Sequence, residues 1–158
     1  MSGDAADLLR RTTVWRDGRL ATLHWWSDPG LLAALGPALA GLRSGARPTV
    51  VAGVQSSGFL LAPLVAVHLG VGMLGVQKLP RDGGFTLATA EGCPARGDRV
   101  LLVDDVVETG AQAGAVRDLV LSAGAEWLGM SALVAYRPFP SLGLRALCDI
   151  DSLRPPIH

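Results

Sequence analysis

Two carboxylates stand side by side at the end of an apolar run, in Val100-Leu-Leu-Val-Asp104-Asp105-Val-Val-Glu108-Thr109-Gly110. Adjacent acids after a buried strand repel one another unless a ligand or a cation offsets their charge. They can also accept hydrogen bonds from two vicinal hydroxyls of a sugar. Glu108–Gln112 reads as a turn into a helix. A helix start offers unpaired N–H groups and the positive end of a dipole, which suit a phosphate, and Gly110 lets the backbone come close to it. The chemistry that fits is sugar-phosphate binding, with the phosphate at residues 108–112 and the hydroxyls at Asp104 and Asp105. The competing reading is structural, since strand–Asp–loop–helix is common in α/β proteins and such an Asp can serve only as a helix cap.

The elements around this run must place it at the end of a sheet. Apolar β-branched runs alternate with helical segments, which predicts an α/β fold with an open, mostly parallel, twisted sheet flanked by helices. Asp28-Pro29 is a helix start, with Asp as N-cap and Pro in the first turn, and Leu31, Leu32, Leu35, Leu39 and Leu42 follow at helical spacing up to Ser44-Gly45. Thr49–Val54 is a strand, Gln55–Gly58 a polar loop, Phe59–Leu69 a helix and Val71–Gln77 a second strand. Lys78–Asp98, with its glycines, prolines and charges, reads as a long loop. Val100–Asp104 is a third strand, a helix runs on to about Ala123, Trp127–Tyr136 is a fourth strand and Arg145–Ile150 a possible fifth. Residues 1–27, with Trp15, Trp25 and Trp26, fall outside the alternation and are expected to form a small cap. A chain of 158 residues with 49% apolar content fits one domain over 1–158, and such a domain buries roughly 70% of its unfolded surface.

The run Val100–Gly110 resembles the phosphoribosyl pyrophosphate (PRPP) signature of the type I phosphoribosyltransferases, and the resemblance covers most of the chain. Thr49–Gly58 and the apolar helix after it are similar to that family's first strand and pyrophosphate loop. Val71–Lys78 is similar to the next strand, ending in a lysine that faces pyrophosphate, and Lys78–Gly97 has the place of the mobile lid. The layout is most similar to orotate phosphoribosyltransferase: Arg16-Asp17-Gly18-Arg19 and Lys78-Leu-Pro-Arg81-Asp82-Gly83-Gly84 resemble its N-terminal and lid motifs. The stretch Gly53–Gly75 resembles adenine phosphoribosyltransferase about as well. Four positions depart from the family pattern: Arg81 replaces a lid lysine, Gly83 the lid histidine, Gln112 the threonine that ends the signature, and Gly114 the arginine that holds the carboxylate of orotate.

The resemblance implies displacement of pyrophosphate from C1 of PRPP by a nitrogen of a nucleobase or related heterocycle. Asp104 and Asp105 would hold the ribose hydroxyls and Mg2+ through water. Glu108, Thr109, Gly110, Ala111 and Gln112 would hold the 5′-phosphate, and Glu108 could exchange a proton with the base. Ser56, Ser57 and Lys78 would meet pyrophosphate, joined by Arg81 when a lid over 78–98 closes. The degraded lid also suits a second reading, a non-catalytic PRPP-sensing regulator on the same fold.

Other features carry less. Gly70-Val-Gly72-Met-Leu-Gly75 matches a dinucleotide-binding pattern, but it follows a helix and enters a strand, the reverse of the required context. Ser56-Ser57-Gly58 lacks the flanking pattern of a nucleophile turn. His68, on an apolar helix, reads as structural. His24-Trp25-Trp26 is open between stacking on a base and closing the core or a dimer interface. Formal net charge is zero, so nothing suggests nucleic acid or an anionic membrane as partner. Cys93 and Cys148 sit in no metal-binding spacing. The first residues lack the basic start and apolar stretch of a signal peptide, and the longest apolar run is too short to span a bilayer. A cytoplasmic homodimer is the expectation.

Overall fold

The computed structural model describes residues 2–89 and 94–157. Part of the 78–98 segment, including Cys93, therefore lies outside the described residues. In chain order the elements are α1 (Ser2–Thr12), the two-residue strands β1 (Trp15–Arg16) and β2 (Arg19–Leu20), α2 (Thr22–Trp25), α3 (Pro29–Gly41), β3 (Val50–Val54), α4 (Gly58–Leu69), β4 (Gly72–Arg81), β5 (Gly84–Thr89), β6 (Arg99–Val107), α5 (Ala111–Ser122), β7 (Glu126–Ala135) and β8 (Leu144–Asp149). Short 3-10 turns follow at Pro140–Leu142 and Ile150–Leu153.

Six strands form one sheet in the order β5-β4-β3-β6-β7-β8. Only β4 and β5 run antiparallel; every other neighbouring pair is parallel. The central strands carry the near-continuous apolar runs of a sheet covered on both faces. One face packs Leu9 of α1, Leu31, Leu35 and Leu39 of α3 and Leu61 and Val65 of α4 against Val51, Leu101, Val103 and Leu133. The other packs Ala113, Val116 and Val120 of α5 against Ala52, Val100, Leu102, Met130 and Ala132. The start of α3 follows the sequence expectation, since the Asp28 carboxylate accepts from Leu31 N at 2.7 Å with Pro29 in the first turn.

Three segments differ from the expectations. Lys78–Arg81 continues β4 and pairs with β5 from Arg81↔Gly84 to Val76↔Thr89, so most of the expected loop is a β-hairpin. The signal lay in Leu79, Phe85, Thr86 and Leu87 around an Asp82-Gly83 turn, a hairpin pattern that the nearby glycines and prolines obscured. The segment before residue 28 is more than a surface cap, because Leu9 and Trp25 are fully buried in the main core. Trp25 donates its indole N–H to Thr13 Oγ1 at 3.1 Å, so it closes the core and has no face open to a base. Gly70, in the decoy glycine pattern, caps α4 in a left-handed conformation.

The topology fixes where a ligand can sit. From β3 the chain crosses through α4 to β4 on one side, and from β6 it crosses through α5 to β7 on the other. Right-handed crossovers running in opposite directions place α4 and α5 on opposite faces. The crevice outside the carboxyl ends of β3 and β6 is thus the switch point at which ligands bind in open α/β sheets.

Candidate functional site

Three segments converge on this crevice: the turn after β3, the end of β6, and the turn that opens α5. The turn after β3 reaches it because two glycines touch. A Cβ on Gly58 would lie 2.9 Å from Gly53 Cα, and a Cβ on Gly53 would overlap the Gly58 carbonyl. With no side chain at either position, the first residue of α4 lies directly on β3, and Ser57 reaches across to β6. Its hydroxyl donates to Asp104 Oδ1 at 3.4 Å. From the other face, the Gln112 amide in the first turn of α5 donates to Asp104 Oδ2 at 3.5 Å. The Asp105 N–H donates to Asp104 Oδ1 at 2.8 Å, and the Asp105 carboxylate accepts from Val106 N at 2.7 Å.

A pocket of about 190 Å³ opens beside Asp104, lined also by Glu108, Thr109, Gly110, Gln112 and Ala113. Gly110 begins α5 with φ 76°, a left-handed conformation, and any Cβ there would lie 2.8 Å from the Phe139 ring. Glycine is therefore demanded twice, by conformation and by contact. The first-turn N–H groups of α5 have no acceptors within the helix; that of Ala111 makes a 3.3 Å bond to Thr109 Oγ1. The geometry offers backbone donors and a dipole end to an anion, with a carboxylate a few ångströms away.

Burial, and after it the charge of Asp105, pushes the Asp104 carboxyl up to about 7, while the Asp105 N–H and the Ser57 hydroxyl pull it the other way. Asp104 thus faces the crevice with no positive charge to offset its burial and the charge of Asp105. Sugar hydroxyls or a hydrated cation supply what it lacks. Among the described residues no cluster of three or more His, Cys, Asp or Glu is placed to hold a metal. A carboxylate with open space beside it, as Asp104 has, suits a magnesium ion that keeps waters and substrate oxygens as its other ligands.

Asp104, Glu108, Thr109, Gly110 and Gln112 come together at one pocket, and Ser57 touches Asp104. Asp105 does not line that pocket. Ser56 and Ala111 are exposed at the two turns. Lys78 lies two residues beyond Val76, which pairs with Val54 and accepts from Gln55 N, so it continues β4 past the end of β3, beside the Ser56–Ser57 turn. Arg81 is farther out, at the tip of the β4–β5 hairpin. A second concavity, about 450 Å³, runs along β8 and the carboxyl end of β7, with Tyr136, Arg137 and Asp149 in its lining. Backbone pairing joins it to the first pocket, as Tyr136 N donates to Val107 O at 2.9 Å. Arg137 stacks on Phe139, its guanidinium 4.6 Å from the ring centroid.

Sequence reasoning missed the Gly53–Gly58 contact, the Gln112–Asp104 bond and the cover of Phe139 over Gly110. An isolated glycine in a β-branched strand does signal close backbone approach. Nothing local signals a phenylalanine 29 positions away.

The model of the phosphoribosyl transferase domain matches residues 29–138. The chain is 40% identical over 145 residues to an adenine phosphoribosyltransferase of Mycobacterium tuberculosis, a match spanning 77% of this chain and 68% of that enzyme. It is 31% identical over 163 aligned positions to one from Frankia casuarinae, spanning 86% of this chain and 87% of that one. In structure it is similar to an adenine phosphoribosyltransferase of Rhodothermus marinus, with a TM-score of 0.78 at 26% identity, covering 94% of this chain and 99% of that one.

Proposed function

The chain belongs to the phosphoribosyltransferase family and is an enzyme that moves the 5-phosphoribosyl group of PRPP to a nucleobase nitrogen, and on that premise we propose that the base is adenine. The observation that carries the choice is the identity to adenine phosphoribosyltransferases across more than three quarters of the chain. It extends the likeness to the adenine enzymes seen in Gly53–Gly75 beyond that stretch. A second observation agrees: Gly114 offers no cation to a carboxylated base such as orotate, and a carboxylate left unpaired in a closed site is costly.

In this reading Asp104 and Asp105 hold the ribose hydroxyls, and the α5 turn, through Thr109, Gly110, Ala111 and the backbone N–H of Gln112, holds the 5′-phosphate. Ser56, Ser57 and Lys78 meet the pyrophosphate. Asp104 and Asp105 would hold Mg2+ through water, and the ion would supply charge balance for the pyrophosphate leaving group. The carboxylates also favour the positive charge that develops on the ribose as the bond to pyrophosphate breaks. Glu108, exposed at the pocket rim, exchanges a proton with the base. The β4–β5 hairpin and the residues after it, 78–98, act as the lid, carrying Arg81 over the pyrophosphate and excluding water.

The protein works as one domain over 1–158, in the cytoplasm, as a homodimer. No helix among the described residues is long and apolar enough to cross a membrane. Leu60 and Val67 lie one heptad apart on α4 and are 50% and 81% exposed, an apolar stripe suited to a second copy.

The test of the substrate is pyrophosphate release from PRPP with adenine, hypoxanthine, guanine, uracil and orotate at equal concentration. Adenine should give the highest kcat/KM and orotate a poor one. If orotate led, the adenine assignment would fall, and its carboxylate partner would be sought among Arg16, Arg19, Arg117 and Arg137. Arg117 already bonds to Ser141 O and pairs with Asp118, so Arg137 would be tried first.

A further inference from the structure

Both oxygens of Asp104 are engaged by neutral side chains from opposite faces of the sheet. The Asp105 N–H holds Oδ1 at 2.8 Å; Ser57 joins it there from the head of α4, and Gln112 takes Oδ2 from the first turn of α5, at 3.4 and 3.5 Å. Both side-chain bonds are long for hydrogen bonds, as such contacts often are before substrate arrives. A carboxylate rotates freely about its last torsion. One contact leaves that rotation open, whereas two contacts on separate oxygens define the plane. The family pattern has a threonine where this chain has Gln112. The longer glutamine side chain spans the gap from α5 to the end of β6, and its amide donor is directed at Asp104.

We propose that Gln112 is a positioning residue that acts on the ribose through Asp104, orienting the carboxylate toward the sugar hydroxyls rather than holding the phosphate. The phosphate has its own donors in the backbone N–H groups of the same turn. The Gln112 amide bridges the two halves of the pocket and couples the phosphate turn to the sugar-binding strand. This assignment rests on reading the pocket beside Asp104 as the sugar-phosphate site.

The experiment is a double-mutant cycle on ligand binding. Ribose 5-phosphate and inorganic phosphate are titrated into the wild type, Gln112→Leu, Asp104→Ala and the double variant, with thermal melts to check folding. Gln112→Leu should weaken ribose 5-phosphate by about five- to tenfold, the size of one ordinary net hydrogen bond, and leave inorganic phosphate nearly unchanged. In the Asp104→Ala background the same substitution should have almost no further effect, because coupled residues are not additive. In turnover KM for PRPP should rise while kcat holds, the mark of a contact made equally before and during reaction. Gln112→Thr, which restores the family residue, keeps a hydroxyl but lacks the reach; it should match Gln112→Leu on ribose 5-phosphate and stands in if the leucine variant does not fold. Equal losses on both ligands, an additive cycle, or wild-type affinity in Gln112→Leu would each overturn the proposal. Asp104→Ala binding ribose 5-phosphate as the wild type does would instead overturn the sugar-phosphate reading itself.

Discussion

Asp104 is the residue on which site chemistry and folding stability oppose one another. Its folded-state pKa of about 7 lies above the ordinary carboxylate value of 3.8, first because of burial and then because of Asp105. The folded protein therefore keeps a proton there between those values, where the unfolded chain has already lost it. Stability from this group is complete below the unfolded value and is lost as pH rises to about 7, by at most about 1.4 kcal/mol per pH unit. Asp104→Asn has no such proton to lose. In the free protein without magnesium, its stability advantage over the wild type should grow from pH 4.5 to 7 and then level off. Denaturant midpoints at several pH values check this, and parallel curves for the two proteins would refute it. Asp104→Asn combined with Asp105→Asn should abolish PRPP binding while leaving the protein folded. Unchanged PRPP affinity in the folded double variant would remove these residues from the site.

At the scale of elements, the site depends on how closely α4 meets β3. Gly53→Ala forces a methyl group into the Gly58 carbonyl, and neither backbone can move without shifting Ser57 off Asp104. A loss of about 3 kcal/mol is expected, the upper range for overpacking, and PRPP affinity should fall with it. Chemical denaturation and calorimetric titration measure the two effects, and a stable variant with full affinity would show that the contact is dispensable. The β4–β5 hairpin is the other element whose behaviour matters. Its residues from Gln77 to Phe85 are exposed, so it has little burial to hold it closed, and local opening should be easy. Amide exchange in residues 78–89 should be fast in the free protein and slow with PRPP and magnesium. Slow exchange that ligand leaves unchanged would rule out a lid.

On the scale of the whole molecule, the sheet carries a half-site at each of two neighbouring parallel strand ends, and the reversal of strand order between β3 and β6 unites them. The remaining open feature is the exposed apolar stripe on α4. Sedimentation should give twice the chain mass for the wild type, and Leu60→Glu with Val67→Glu should give a folded monomer. A monomeric wild type would mean that the stripe serves something else.

The sequence alone determined the order of α3, β3, α4, β4, β6, α5, β7 and β8, the start of α3 at Asp28-Pro29 and the acidic run that ends in Gly110. Each of these is written in local patterns: hydrophobic period, cap residues, and the demand of a phosphate for donors at a helix start. The tertiary structure decided what those patterns touch. It drew Trp25 into the core, turned the glycine-rich segment after Lys78 into a hairpin, and set Phe139 over Gly110. It also brought Ser57 and Gln112, 55 positions apart, onto the two oxygens of one carboxylate. Local preference acts over a few residues. These contacts instead arise from crossovers that carry distant segments to the same strand end, where close packing leaves room for one arrangement.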